Sequence, residues 1–271
     1  MSASNLDTVP LTARPARSAW SAGEIRDLVT SERRKTLSTS TWWALLLPAA
    51  LLALTYAWVN AKDEFLAMSQ AEALDIGILF ALLFGVVCPS GEYRHNTIVT
   101  SYLNAARRAK LGVAKMIFAA LVGVVYGLVS AAAGVGGLLL SHTAFDGEVP
   151  WLLAVSAGGT LLFALWAVLG VGVGLLLRRQ SFGVLAVLLY CLILEPILVY
   201  LGSLTEATDR ITDYLPGVAV RYVLKGLTGG EQFGGGFGVA QSWWLMLLVV
   251  AAYAAVAMLL GTAAARRRDL T

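Results

Sequence analysis

The candidate chemical groups of this sequence are concentrated in one polar segment, CPSGEYRHNTIVTSYLNAARRAK, residues 88–110. Glu92 and His95 are the residue types of a general acid–base pair, and two cations follow at Arg107 and Arg108. Catalysis would also need a nucleophile or a metal oriented toward a substrate. The sequence contains no phosphate-binding loop, no HExxH motif and no cysteine cluster. The segment is therefore better suited to contact another protein than to catalyse a reaction.

A second candidate group is Glu195, which precedes Pro196 inside a long apolar stretch. An isolated carboxylate in a bilayer is costly, so we expect this side chain to be protonated, paired or facing a water-filled cavity. Pro196 has no N–H, which weakens the helix beside the acid by depriving the carbonyl of Leu192 of its donor. Two interpretations remain open: a helix break that shapes an exit path, or a protonated Glu195 that bonds this carbonyl and stabilises a kink.

The elements that position these groups are predicted to be transmembrane helices. The 271 residues are 58% hydrophobic and 14% charged, with a mean hydropathy of +0.73. A bilayer core of about 30 Å is crossed by about 20 helical residues. Six predominantly apolar runs approach this length: 41–60, 74–88, 116–140, 151–177, 182–204 and 243–265. The sequence thus predicts an all-α membrane protein with six spans. A cleavable signal peptide is not predicted, because the first apolar run begins only at Thr41.

The distribution of basic residues predicts the orientation. If the N-terminus is cytoplasmic, the external residues among the 20 Lys and Arg residues are only Lys62, Arg210, Arg221 and Lys225. This asymmetry follows the positive-inside rule, so both termini are predicted to be cytoplasmic. The net charge of +3 is therefore explained by topology and does not indicate nucleic-acid binding.

Three segments outside the spans are predicted to form helices. Residues 1–40 contain a polar tail and an amphipathic helix over 20–37, which either lies along the cytoplasmic membrane face or is solvated. Residues 90–108 form a short amphipathic cytoplasmic helix. In the external loop 205–241, one or two short helices press onto the membrane or dip into it. Their predicted apolar face consists of Ile211, Leu215, Val218 and Tyr222.

Five segments, in this order and with six spans, resemble the membrane subunits of ATP-binding-cassette (ABC) exporters of the type-2 permease family. They are SERRKTLSTSTWW, GEYRHNTIVTSYLNAARRAKLGVAK, ILEPIL, LPGVAVRYVLKG and RRRDLT. The resemblance covers most of the chain and implies a six-helix permease domain over 41–271. It further implies that 20–37 is the connecting helix and that the segment at about 90–108 is the coupling helix.

The resemblance also implies partners and site residues. A separate ABC ATPase subunit would bind ATP and Mg, while this chain would bind no cofactor and would not itself be an enzyme. A second permease copy, identical or a sibling, would complete a dimer. Glu195 and Pro196 match a recurring Glu-Pro pair and are assigned to the translocation pathway or its gating. The residues predicted to contact the ATPase are Glu92, Tyr93, Arg94, His95, Tyr102, Arg107, Arg108, Arg178 and Arg179.

The resulting hypothesis is an ATP-driven exporter in the bacterial plasma membrane, which moves a hydrophobic or amphipathic substrate by alternating access. A drug, a peptide antibiotic or a lipid fits the uncharged spans equally well. The alternative is a proton-coupled secondary transporter that uses Glu195, although no basic partner for this acid is visible within the predicted spans. A membrane anchor or assembly factor is a third hypothesis.

Overall fold

A computed structural model describes residues 22–61, 65–94, 108–141, 147–177, 179–205, 210–229 and 242–267. These residues form α-helices joined by turns, with no β-strand among them. A π-helical turn, Tyr190–Leu194, joins α6 to α7 into one continuous helix. The helices are α1 (Ala22–Leu37), α2 (Thr41–Asn60), α3 (Leu66–Arg94), α4 (Arg108–Leu140), α5 (Val149–Leu177), α6 (Gln180–Leu189), α7 (Glu195–Gly202), α8 (Pro216–Gly226) and α9 (Trp243–Arg267).

Six helical units in the described part of the chain are long and apolar enough to cross a membrane: α2, α3, α4, α5, the joined α6–α7, and α9. The prediction of six spans is confirmed, and the chain has the architecture of a multi-pass membrane protein. Consecutive spans alternate in direction, so the bundle has two ends. We call the end that carries α1 the α1 end, and the opposite end, which carries α8, the α8 end.

Two predicted spans were too short, because the predicted runs stop at charged residues. α3 begins at Leu66 and includes Glu72 and Asp75, whereas the predicted span began at residue 74. α4 likewise begins at Arg108 and includes Lys115. These charges are tolerated within the helices because each has an oppositely charged partner.

The centre of the bundle is formed by α3 and α5, which pack tightly against each other and against α4. Glycines permit this close approach, since a methyl group on Gly85 of α3 would collide with the backbone at Ala167 of α5. The periphery consists of α2, α6–α7 and α9. Only 11% of the α6–α7 span is buried, compared with 61% of the α3 span. The chain therefore presents a wide apolar surface to its surroundings.

Buried polar side chains join the central helices. The Gln70 amide nitrogen in α3 donates to the carbonyl of Ala131 in α4 at 3.1 Å and to the Ser156 hydroxyl in α5 at 3.3 Å. The Tyr126 hydroxyl in α4 donates to the carbonyl of Trp42 in the first turn of α2. Because a buried donor is costly to leave unpaired, these contacts favour one register of the helices.

The helix predicted over 20–37 is present as α1. α1 packs against the first turns of α4. Val29 contacts the hydrophobic core, and Glu32 is buried. The amphipathic pattern did not predict this contact with α4.

The predicted cytoplasmic helix at 90–108 lies mostly outside the described residues. Its first residues belong to α3, which continues to Arg94, and its last residue begins α4 at Arg108. Both ends of the segment are therefore continuous with membrane spans.

The predicted external loop, 205–241, contains a helix, but the four residues of the predicted apolar face do not lie on one continuous helix. α8 starts only at Pro216, because proline is favoured in the first helical turn and the residue before it, Leu215, is extended. Ile211 lies before this helix and is 70% exposed. The face that α8 buries consists of Ala219, Val220, Val223 and Leu224.

Candidate functional site

The buried acid at the α8 end binds the beginning of another helix. Glu195 is the first residue of α7, directly after the π-helical turn, and is 6% exposed. Its Oε1 accepts a hydrogen bond from the backbone N–H of Gly217 at 2.7 Å and from that of Val218 at 3.0 Å. These N–H groups belong to the first turn of α8, which has no intrahelical acceptors for them. The carboxylate also interacts favourably with the positive end of the helix dipole.

The local sequence of α8 explains why a distant carboxylate takes the capping position. The N-cap residue, Leu215, has no side-chain acceptor, and Pro216 has no N–H. The first donors are therefore those of Gly217 and Val218. A Cβ atom on Gly217 would lie 2.6 and 2.8 Å from the two carboxylate oxygens of Glu195. Glycine favours this contact because a side chain at position 217 would displace the carboxylate from its present position.

This geometry gives Glu195 partners that neither interpretation of the acid included. Both interpretations stay predictions. Of the three expected states of the acid, the structure has the paired one, with backbone amides as partners. The partners of this acid thus belong to α8, outside the spans.

Two ion pairs attach α8 to α3. Arg221 Nε lies 3.1 Å from Asp75 Oδ2, and Lys225 Nζ lies 3.6 Å from Glu72 Oε1. The two acids are three residues apart on α3, so they lie on one face of that helix. The two bases are four residues apart and likewise share one face of α8. The Tyr56 hydroxyl of α2 donates to Glu72 as well. α8 therefore bridges α7 on one side and α3 on the other.

These five side chains line a cleft of about 280 Å³, which Leu224 and Ile76 complete with apolar surface. The cleft is open, and the Arg221 side chain is 55% exposed. The sequence analysis placed Glu72 before the second span and assigned no role to Asp75, which lies at the start of that predicted span. Their spacing of three residues, opposite a basic pair spaced by four, was the signal that could have identified them.

A second ionic cluster lies at the α1 end. Lys115 Nζ of α4 is 2.7 Å from Glu32 Oε2 of α1, and the two side chains are 2% and 3% exposed. Lys35 Nζ approaches the other oxygen, Glu32 Oε1, at 3.0 Å. Burial alone would raise the pKa of Glu32, but the neighbouring ammonium groups of Lys115 and Lys35 hold this pKa below its ordinary value. Glu32 is therefore ionised at neutral pH.

The predicted ATPase-contacting residues are only partly described. His95, Tyr102, Arg107 and Arg178 lie outside the described residues. Glu92, Tyr93 and Arg94 form the last turn of α3 and Arg108 begins α4, while the side chains of these four residues are not among those described. Arg179 is exposed between α5 and α6. Because consecutive spans alternate, all these described positions lie at the α1 end.

The described residues contain no group of three or more His, Cys, Asp or Glu side chains that could hold a metal ion. The two comparisons with known proteins add no assignment, since no family model matches the chain and no curated protein matches it. Fold and geometry thus define a class, a helical protein with six membrane-spanning segments, in which ionic clusters connect a short helix to the bundle at each end.

Proposed function

We propose that this chain is the membrane-spanning permease subunit of an ATP-driven exporter of the ABC type-2 class, acting in the bacterial plasma membrane. Its substrate is hydrophobic or amphipathic, such as a drug, a peptide antibiotic or a lipid. A separate ATPase subunit binds ATP and Mg and supplies the energy. The N-terminus and α1 face the cytoplasm, and α8 faces the outside.

The observation that carries this proposal is the contact between two segments that resemble the permease family. ILEPIL contains Glu195, and LPGVAVRYVLKG contains Gly217, whose N–H is bound by that carboxylate. The resemblance treats these segments as separate sequence features, yet Glu195 and Gly217, which are 22 positions apart in the chain, meet in space. If the Glu-Pro pair serves to bind the first turn of an external helix, this one contact accounts for both the ILEPIL and the LPGVAVRYVLKG segments.

The mechanism that fits this geometry is rigid-body gating. Closure of the ATPase subunits would displace the segment between α3 and α4, and the spans would reorient around the substrate pathway. At the outer end, Glu195 would keep α8 attached to α7 during this movement. A second permease copy would cover part of the apolar surface of α2, α6–α7 and α9, with lipid covering the rest.

Isolation of the tagged chain from native membranes in mild detergent tests the proposal. We expect an ATPase subunit to co-purify in equal amount and Arg107→Ala to weaken or uncouple its ATP hydrolysis. Arg210→Ala is the matched control, because Arg210 is exposed near α8 at the opposite end. A chain that purifies alone and shows no nucleotide dependence would contradict the proposal.

A proton-coupled secondary transporter is the second candidate, and the α8 end supplies an observation in its favour. Glu195 is not the single acid that the sequence indicated, because Asp75 and Glu72 of α3 lie on the same side of the bundle, beside Arg221 and Lys225. Transport driven by a pH gradient in proteoliposomes without ATP would select this candidate. Loss of that transport in Glu195→Gln would identify the proton-binding group.

A further inference from the structure

The Glu32–Lys115 pair is the most completely buried ion pair in the described part of the chain, and the substrate pathway proposed above does not use it. Its carboxylate also accepts a hydrogen bond from Lys35 at 3.0 Å, so both oxygens of Glu32 are occupied. A buried pair with good geometry is hard to separate, because either charge left alone would lack solvation. α1 and α4 are therefore held together by more than apolar packing.

The Glu32–Lys115 pair lies between the segment that is predicted to contact the ATPase and the first span. Lys115 lies seven residues after Arg108, where α4 emerges from the segment that is predicted to contact the ATPase. α1 is followed by α2 after the short turn at residues 38–40. α4 reaches α2 a second time through the hydrogen bond from Tyr126 to Trp42. A displacement at the start of α4 thus has two routes to the first span, one through α1 and one through the direct contact of α4 with α2.

We propose that the Glu32–Lys115 pair acts as a clamp that makes α1 and α4 one rigid body, so that α1 transmits ATPase-driven movement to α2. This inference rests on the proposed function. Glu32 and Lys115 are positioning residues in it, since neither contacts substrate or nucleotide. Lys35 strengthens the charge balance around Glu32 but is 45% exposed and belongs to α1 itself, so it does not join the two helices.

Distance measurements between spin labels test the clamp in the co-purified complex in lipid nanodiscs. The labels replace exposed residues on a Cys88→Ser, Cys191→Ser background: Arg26→Cys on α1, Leu121→Cys on α4 and Phe182→Cys on α6. We expect ATP with vanadate to shift the distance between positions 26 and 182. The distance between positions 26 and 121 should stay unchanged, because α1 moves with α4.

Charge exchange supplies a readout that a general loss of stability would not reproduce. Glu32→Lys and Lys115→Glu should each abolish the nucleotide-dependent shift, and the double exchange should restore it. Glu32→Gln, which keeps the shape of the side chain, should broaden the distance distribution between positions 26 and 121 even if the reversals do not fold. Lys35→Ala is the matched control and should leave both distances as in the parent.

Three distinguishable results would contradict either the clamp or the proposed function. A distance between positions 26 and 121 that shifts with nucleotide would reject the clamp and leave the proposed function standing, and so would a Glu32→Gln variant that behaves like the parent. Absence of both a co-purified ATPase and any nucleotide response would reject the proposed function, and the transmitting role of α1 with it.

Discussion

At the residue scale, the contact between α7 and the start of α8 involves the carboxylate of Glu195 and the absence of a side chain at Gly217. Glu195 supplies the acceptor that Leu215 lacks, and Gly217 leaves space for it. The sequence indicated that Glu195 needs a partner, because an unpaired acid in a span is costly. It could not identify that partner, since the two backbone amides come from a helix whose position is set by tertiary packing.

Gly217→Ala should detach the carboxylate from α8. The added Cβ would displace both oxygens, and loss of a helix cap costs about 0.5–2 kcal/mol. Thermal unfolding in detergent measures this loss. The matched control is Gly23→Ala, which also occupies the second position of a helix but meets no atom within 4 Å. Equal stability of the two variants would contradict the capping role of Glu195.

The stability contributed by Glu32 should depend on pH. Its pKa is lowered in the folded protein, so its stabilising effect is full above the ordinary pKa of a glutamate and is lost as the pH falls through the lowered value. The difference in thermal stability between the parent and Glu32→Gln should therefore be present at neutral pH and should vanish well below about pH 4. A difference that is independent of pH would show that charge is not what Glu32 contributes.

At the element scale, α8 is a short helix held by three other elements. Glu195 binds its first turn, Asp75 and Glu72 bind its exposed side, and its apolar face is buried against the bundle. The two ends of the bundle use ion pairs differently, because the pair at the α1 end is buried whereas those at the α8 end are partly exposed. Partly exposed pairs are screened and contribute little stability.

Double-mutant cycles on unfolding should measure this contrast between the two ends. For Asp75→Asn and Arg221→Gln, we expect a coupling energy below about 1 kcal/mol, since Arg221 is more than half exposed. For Glu32→Gln and Lys115→Met the coupling should be larger, because each single change leaves one buried charge without its main partner. Equal coupling in the two cycles would contradict the assigned burial.

The length of an apolar run predicts the limits of a membrane-spanning helix well when no charged residue interrupts the run. The prediction is poor where a charged residue belongs to the helix. The first span was predicted with the same limits as α2, because 41–60 contains no charged residue. The starts of α3 and α4 were missed by eight residues each, since the predicted runs begin only after Glu72 and Lys115. Knowledge of the partners of these two charges, Lys225 and Glu32, requires the fold. The same limitation hid the cleft at the α8 end.

At the scale of the whole molecule, the orientation of the bundle links both ionic clusters to the proposed function. The α1 end would meet the ATPase in the cytoplasm, and the α8 end would face the outside. This assignment comes from the basic residues of the sequence, and the same bundle in the opposite orientation would place α8 and its cleft in the cytoplasm.

Single-cysteine labelling in intact cells should establish the orientation. On a Cys88→Ser, Cys191→Ser background, a membrane-impermeant maleimide should react with Arg210→Cys directly. Arg179→Cys should react only after the membrane is permeabilised, because it lies at the α1 end. Both positions are exposed, so access to the reagent decides the result. The reverse pattern would contradict the proposed topology and with it the assignment of the ATPase-facing side.

The cap between Glu195 and α8 also has a consequence for biosynthesis. Gly217 is synthesised 22 residues after Glu195, which at about 5–20 residues per second corresponds to a delay of about 1–4 s. During this interval the nascent chain has no α8 amides to offer, so the acid either enters the bilayer in its protonated form or remains at the aqueous boundary. Insertion of this span is therefore completed by a segment that leaves the ribosome after it.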